Sequence, residues 1–254
     1  NAILAGKPMI TIIVPVLDEA AALPGFLSQF QVMRDDFELV VCDGGSKDGT
    51  VDIAERQGLS NLSVVHAPRG RARQMNAGAF AAKANAIEIS TAVGTSKSAV
   101  PDGVLLFLHS DTYLPEGALR AIETAMRDEA LAGGRFKLKL DNPALPYSII
   151  GAMITLRDGL FGGFTGDQAI FVRMSAFEAL GGFADVELCE DIDFARRLRK
   201  VGRTTRLPLY VTTGARRWEK SGLVKTILLM WMIRILFYAG ASPARLARLY
   251  ADVR

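Results

Sequence analysis

Along the first half of the chain, short unbroken apolar runs alternate with stretches whose apolar residues recur at helical spacing. Ile10–Val16 (ITIIVPV) and Glu38–Cys42 (ELVVC) are continuous and rich in β-branched residues, which predicts strands buried on both faces. Asn61–His66 alternates like a short third strand, and Val104–Leu108 supplies a fourth. The intervening spacing predicts helices from Asp18 and Glu19 to about Met33, over Thr50–Gln57 with Gly58 as the stop, over Arg71–Ala84, and from about Glu116 to Asp128. Strand and helix in alternation imply an α/β fold with a mainly parallel central sheet flanked by helices. Ligands of such sheets bind beyond the carboxyl ends of the strands.

From Gly133 the pattern changes. GGRFKLKL alternates as a half-exposed strand, DNPALP is a turn-rich break, and Ser148–Leu160 is predicted helical. A GGFTG loop, the strand AIFVR, a GGF break and a helix over roughly Glu190–Val201 follow. Gly222–Gly240 is hydrophobic but interrupted by Lys225 and Arg234. Cations inside an apolar run are costly in a membrane span of about 20 residues. The expectation is therefore a packed or amphipathic helix, serving a homodimer seam or a peripheral membrane contact.

Composition narrows the classes. The 254 residues are 50% hydrophobic, ample for one large core. A net charge of +3 without a long basic run argues against nucleic acid as a partner. Cys42 and Cys189 stand outside any CxxC pattern, which fits reduced thiols in a cytoplasmic protein. Residues 1–8 precede Met9 and the first strand, and are read as an added or trimmed start; no basic leader with a long apolar segment is visible.

Several strands end in residues suited to chemistry. PVLDEA carries Pro15, Asp18 and Glu19; DGGSKDGT follows the second strand with Asp43, which can accept hydrogen bonds, and with Gly44 and Gly45, which allow close backbone approach. The same letters also suit a tight turn with an Asx cap. Neither GxGxxG nor a Walker lysine motif is present, so dinucleotide and P-loop chemistry lose support. Val104–Leu108 leads into His109, Ser110 and Asp111. If that segment stays extended, His109 and Asp111 face one ligand, such as a manganese or magnesium ion on a diphosphate. In CEDIDFARRLRKVG, Glu190, Asp191 and Asp193 fall at a predicted helix start, where a carboxylate is stabilised and can act as a base.

IIVPVLDEA, VVCDGGSKDGT, LHSDT, GGF and CEDIDFARRLRKVG, in this order, resemble the family-2 glycosyltransferases of the GT-A fold over most of residues 10–203. RGRARQMNAGA and GDQAIFVR are similar to a bacterial subgroup of that family. The resemblance implies a GT-A domain over residues 9–215, with a nucleotide-binding half (9–115) and an acceptor-binding half (116–215), and a C-terminal helical extension over 216–254. It also implies an inverting enzyme that uses a nucleotide-diphospho-sugar donor, most readily a UDP-sugar, a divalent Mn2+ or Mg2+ ion and a hydroxyl acceptor. Pro15 and Glu19 would line the nucleotide pocket, Asp43 would contact uracil or ribose, and Arg71 and Arg73 would lie near the diphosphate. Asp111 would be the metal ligand, with His109 and Ser110 beside the nucleotide. Asp191 would be the general base, with Glu190 next to it. Asp167 and Gln168 would hold sugar or acceptor hydroxyls, and Trp218 would stack on a sugar. His109 departs from the family's usual aspartate at that position. A lipid-linked acceptor would suit attachment to the inner membrane face. Two other readings compete: a nucleotidyltransferase, disfavoured because PVLDEA replaces a glycine- and arginine-rich loop, and a nucleotide-sugar-binding scaffold without turnover.

Overall fold

The computed structural model describes residues 9–92, 102–161 and 163–253. The start at residues 1–8 lies outside them. Strands β1 (Ile10–Val16), β2 (Phe37–Asp43), β3 (Leu62–His66) and β4 (Val104–Phe107) pair in parallel in the order β3-β2-β1-β4. β5 (Thr112–Tyr113), β6 (Leu131–Leu140), β7 (Ile170–Arg173) and β8 (Arg203–Thr213) extend the same sheet as β4-β7-β6-β8-β5. The second half is mixed: β7 is antiparallel to both neighbours, β6 and β8 are parallel, and β5 is antiparallel to β8. Parallel pairs predominate because the β–α–β crossovers of the first half require them.

The period of two along the buried strands sends alternate side chains into two cores. Ile10, Ile12 and Val14, with Leu39 and Val41, pack against helices α1 (Leu23–Gln31) and α4 (Ala118–Ala125) through Phe26, Leu27 and Ile122. Ile13, Val40 and Cys42 face α3 (Arg71–Ala92), and Leu105 and Phe107 extend that core to Phe177 and Phe194. α2 (Thr50–Arg56) lies between β2 and β3 in the chain. α3 approaches closely because Gly78 faces the sheet: a Cβ there would lie 2.5 Å from Ile13 Cγ2 and 2.6 Å from Cys42 Sγ. Burial pushes the thiols of Cys42 and Cys189 up to about 12, so both are inert free thiols.

Several boundaries differ from the pattern-based expectation. α1 begins at Leu23 rather than Asp18, because Asp18 has φ 52° and belongs to a loop held to the next strand's end. α3 runs on to Ala92. β6 is mostly buried rather than half-exposed, since its glycines sit between neighbouring strands: a Cβ on Gly133 would meet Phe171 O at 2.3 Å. β8 has no predicted counterpart; Pro208 and the arginines of RTTRLPLYVTT hide its alternation.

The DNPALP break passes into α5 (Leu145–Phe161), and α6 (Met174–Ala179) and α7 (Glu190–Val201) follow β7. After β8 come α8 (Arg216–Ser221), α9 (Leu223–Tyr238) and α10 (Pro243–Val253). α9 is the expected hydrophobic helix. Among the described residues, no helix is long and apolar enough to cross a membrane.

Gly78→Ala should cost about 1–3 kcal/mol by overpacking, despite alanine's better helix propensity. A urea midpoint lower than wild type would show it, and an unchanged midpoint would mean α3 can shift away from the sheet.

Candidate active site

The loops after β1 and β2 form one laced unit at the carboxyl edge of the sheet. Asp18 accepts from the Lys47 N–H at 2.8 Å, and the Asp18 N–H donates to Ser46 Oγ at 2.9 Å. The Glu19 N–H donates to Thr50 Oγ1, and Asp48 accepts from the Ala20 N–H, both at 2.9 Å. Pro15 is half-buried beside Cys42, its partner in the β1–β2 register. Asp43 is buried, which by itself would raise its carboxyl. Hydrogen bonds from Ser46, Gly45 and His66 outweigh that and hold it below the ordinary aspartate value. Its carboxylate therefore shapes the turn as well as standing at the end of β2.

Two amides of α3 hold this edge in place. Gln74 Nε2 donates to Val16 O at 2.7 Å and to Cys42 O at 2.8 Å, tying the ends of β1 and β2 together. Asn76 donates to Phe183 O and accepts from the Phe183 N–H, both at 2.9 Å, which fastens the GGF loop. The sequence pattern singled out QMNAGA only as a motif. Residues two apart on a helix point apart, and that spacing was the available signal for two separate clamps.

The segment after β4 is a turn, and so the extended-strand argument for His109 and Asp111 fails. β4 ends at Phe107, and the Thr112 N–H donates to His109 O at 3.0 Å. The two side chains consequently meet different neighbours. Asp111 is exposed next to β8, with Thr213 Oγ1 at 3.5 Å and Gly214 against it. Burial, followed by repulsion from Asp111, raises the Glu19 carboxyl, while a Ser110 hydrogen bond and the Arg216 charge oppose the shift. Arg216 thus stands beside Glu19, in the Arg216–Trp218 stretch where motif positions give a role to Trp218 alone. Ser110 is buried.

His109 points to the other side, towards α7. A Cβ on Gly166 would lie 2.7 Å from His109 Nε2 and 3.7 Å from Asp191 Oδ2, so a larger residue there would displace the ring. Asp191 Oδ2 accepts the Gly166 N–H at 2.8 Å, and Oδ1 accepts the Ile192 N–H at 2.7 Å. Burial raises the Asp191 carboxyl; the Gly166 bond counters this, Asp167 adds to it, and Arg71 opposes it. Glu190 is buried, raised first by that burial and then by Asp191, and lies 3.6 Å from Arg71 Nη1.

The remaining expected residues fall at varied distances from this centre. Arg71 sits between the two acids and the solvent, half-exposed. Arg73 pairs instead with Asp185 at 2.8 Å, bracing α3 against the loop before α7. Asp167 lies near Asp191 in a 3-10 turn, Gly166–Gln168. The Gln168 side chain is fully buried, with Oε1 accepting the Thr165 N–H at 3.0 Å, so it builds the turn rather than facing a ligand. Trp218 packs with Leu140, Ile150 and Leu223 in a separate apolar cluster, which leaves a sugar-stacking role without support. Among the described residues, no three His, Cys, Asp or Glu side chains converge as a preformed metal cage.

A GT-A transferase fold frames this edge, and three kinds of likeness bear on it. The family model described as "Glycosyl transferase family 2" matches residues 11–171, so the chain belongs to that family. The PGL/p-HBAD biosynthesis glycosyltransferases of Mycobacterium tuberculosis and Mycobacterium bovis are 30% identical over 179 residues, 68% of this chain. The chain spans 58% of the length of those relatives. Among solved structures, the mannosyltransferase PcManGT of Pyrobaculum calidifontis, in complex with GDP-Man and Mn2+, superposes with a TM-score of 0.58 at 19% identity, over 97% of this chain and 70% of that one. S. aureus TarS 1-349 in complex with UDP-GlcNAc gives 0.55 at 21% identity, over 81% and 58%. At that identity these two similarities speak for the fold.

A carboxyl raised in the fold binds its proton more tightly folded than unfolded. The stability it contributes is present at low pH and is lost as pH rises through its folded value. Asp191→Asn should therefore raise the thermal midpoint at neutral pH, with the gain fading in acid. A midpoint lowered at neutral pH would show that the charged carboxylate holds the fold together.

Proposed function

We propose that the chain transfers a sugar from a UDP-sugar to an acceptor hydroxyl, with a divalent metal and with inversion at the sugar carbon. The observation that carries this reading is the Asp191 carboxylate, held by two backbone N–H groups at the start of α7 and raised by its surroundings. A positioned carboxylate with its proton affinity moved towards the working pH is suited to general-base work. It adjoins His109, which belongs to the same turn as Asp111 and so links the base to the proposed donor side.

The residues fit a divalent cation. Asp111 and Glu19 repel one another at the strand ends, and a cation beside them would relieve that repulsion. With no complete cage of protein ligands among the described residues, phosphate oxygens would supply much of the coordination. Mg2+ and Mn2+ bind readily through one or two carboxylates plus substrate phosphates. When bound, the ion would neutralise charge on the departing nucleoside diphosphate.

The chain's own residues do the rest. Pro15, Glu19 and Asp43 border the nucleotide, and Ser110 orients Glu19. Arg71 and Arg216 supply positive charge along the cleft, where guanidinium groups suit phosphate geometry. Asp191 accepts the acceptor's hydroxyl proton while the acceptor oxygen forms its bond to the sugar carbon. The bond from that carbon to the diphosphate oxygen breaks, and the electron pair leaves with the nucleoside diphosphate. Glu190 keeps Arg71 beside the base. UDP is preferred on the family resemblance; the two structural neighbours were solved with a GDP-sugar and a UDP-sugar respectively.

Asp191→Asn should lower the transfer rate by about a hundred- to ten-thousand-fold with little change in UDP affinity. Transfer near the wild-type rate would remove Asp191 from the chemistry. The raised carboxyl also predicts that the acid limb of the rate profile lies above the pH expected for an ordinary aspartate, since the base works only when deprotonated. In calorimetry, Asp111→Ala should abolish manganese-dependent UDP binding, whereas His109→Ala should only weaken it. Equal, total losses would mean the two roles are wrongly divided, and tighter binding of GDP than UDP would reassign the donor.

A further inference from the structure

The outward faces of α5 and α9 are apolar. On α9, Val224, Leu228, Trp231, Met232, Ile235 and Tyr238 recur at three- and four-residue steps and so share one face. Val224 is 71% exposed, Leu228 64% and Ile235 60%. The opposite face carries Leu229 and Ile233, buried with Leu246 of α10. A helix apolar all round is normally covered on every side, yet here one side is open. On α5, Leu145, Ile149, Met153 and Leu156 form a second exposed stripe at the same spacing. The stripes adjoin, because Met153 and Trp231 line one crevice with Ile154 and Ile227. A continuous exposed apolar surface of this kind marks an interaction site.

Charge identifies the partner. Residues 216–254 contain eight Lys or Arg against two Asp or Glu; of these, Arg216 acts on Glu19 and Arg234 is buried. Lys225 is exposed at the edge of the α9 stripe, and Arg245 and Arg248 are exposed on α10. Within the stripe, Trp231 and Tyr238 are amphipathic rings of the kind enriched at membrane interfaces. An apolar face on a cationic segment fits an anionic lipid surface. Pairing with a second copy would set the same basic segment against itself, as two-fold symmetry requires. A span is not an option for α9, whose 16 residues fall short of the roughly 20 needed.

We infer that the α5–α9 face docks on the surface of an anionic phospholipid bilayer. The segment from Gly214, which touches Asp111, through α8 to Gly222 at the start of α9 connects that face to the candidate site. The docking stands on exposure and charge, independently of donor and base.

The test is co-sedimentation of the full chain with vesicles of phosphatidylcholine alone, or with about one third phosphatidylglycerol. The chain should pellet with the anionic vesicles at least tenfold more strongly, high salt should weaken binding, and tryptophan emission should shift to the blue. Leu228→Gln with Ile235→Gln should reduce partitioning at least tenfold while keeping the wild-type thermal midpoint and manganese–UDP titration. Equal binding by this double variant would overturn the inference, as would wild-type protein that ignores anionic vesicles. A dimer in light scattering that the double variant dissociates, without vesicle binding, would assign the face to a second copy instead.

Discussion

A carboxyl whose proton affinity is raised by burial sits at the start of a helix, and the structure around it is arranged to keep it in one orientation. Asp191 has both oxygens engaged by backbone N–H groups, one from Gly166 in the facing turn and one from Ile192 in its own helix. Glycine at 166 leaves room for the His109 ring, which a Cβ there would have to push aside. The 3-10 turn that presents Gly166 depends in turn on a reciprocal cap between Thr165 and the buried Gln168. Removing the carboxylate from water costs free energy, and those bonds offset part of that cost.

The opposite wall is held by α3. One helix face supplies both Gln74, which joins the ends of β1 and β2, and Gly78, which lets the helix come down on Ile13 and Cys42. Asn76 fastens the loop that leads to α7. The two sides of the cleft are thus set by one helix, which also starts at Arg71, the residue that meets Glu190. Family membership and the GT-A fold follow from comparison.

The parallel half of the sheet was legible because strands buried on both faces are written as unbroken apolar runs, as in Ile10–Val16. β8 was not, because only three of its eleven residues are buried and Pro208 interrupts the run. The grouping of Glu19, Asp111 and Asp191 near strand and helix ends followed motif positions well. The extended geometry expected for His109–Asp111 did not: a change from strand to turn sends the two side chains to different walls, and nothing in HSDT signals it. The surroundings of Gln168 and Trp218 are hidden from the sequence for a related reason. Their polar or aromatic chemistry suits a ligand, but tertiary packing uses it for a turn and an apolar cluster.

The most direct test of the central claim is a crystal structure of the chain with UDP and manganese. The account predicts the ion on Asp111 and the diphosphate, the uracil near Asp43, and the Asp191 carboxylate free of metal and turned towards an open acceptor cleft. Asp191 ligating the ion, or the nucleotide lying on a different edge of the sheet, would contradict it.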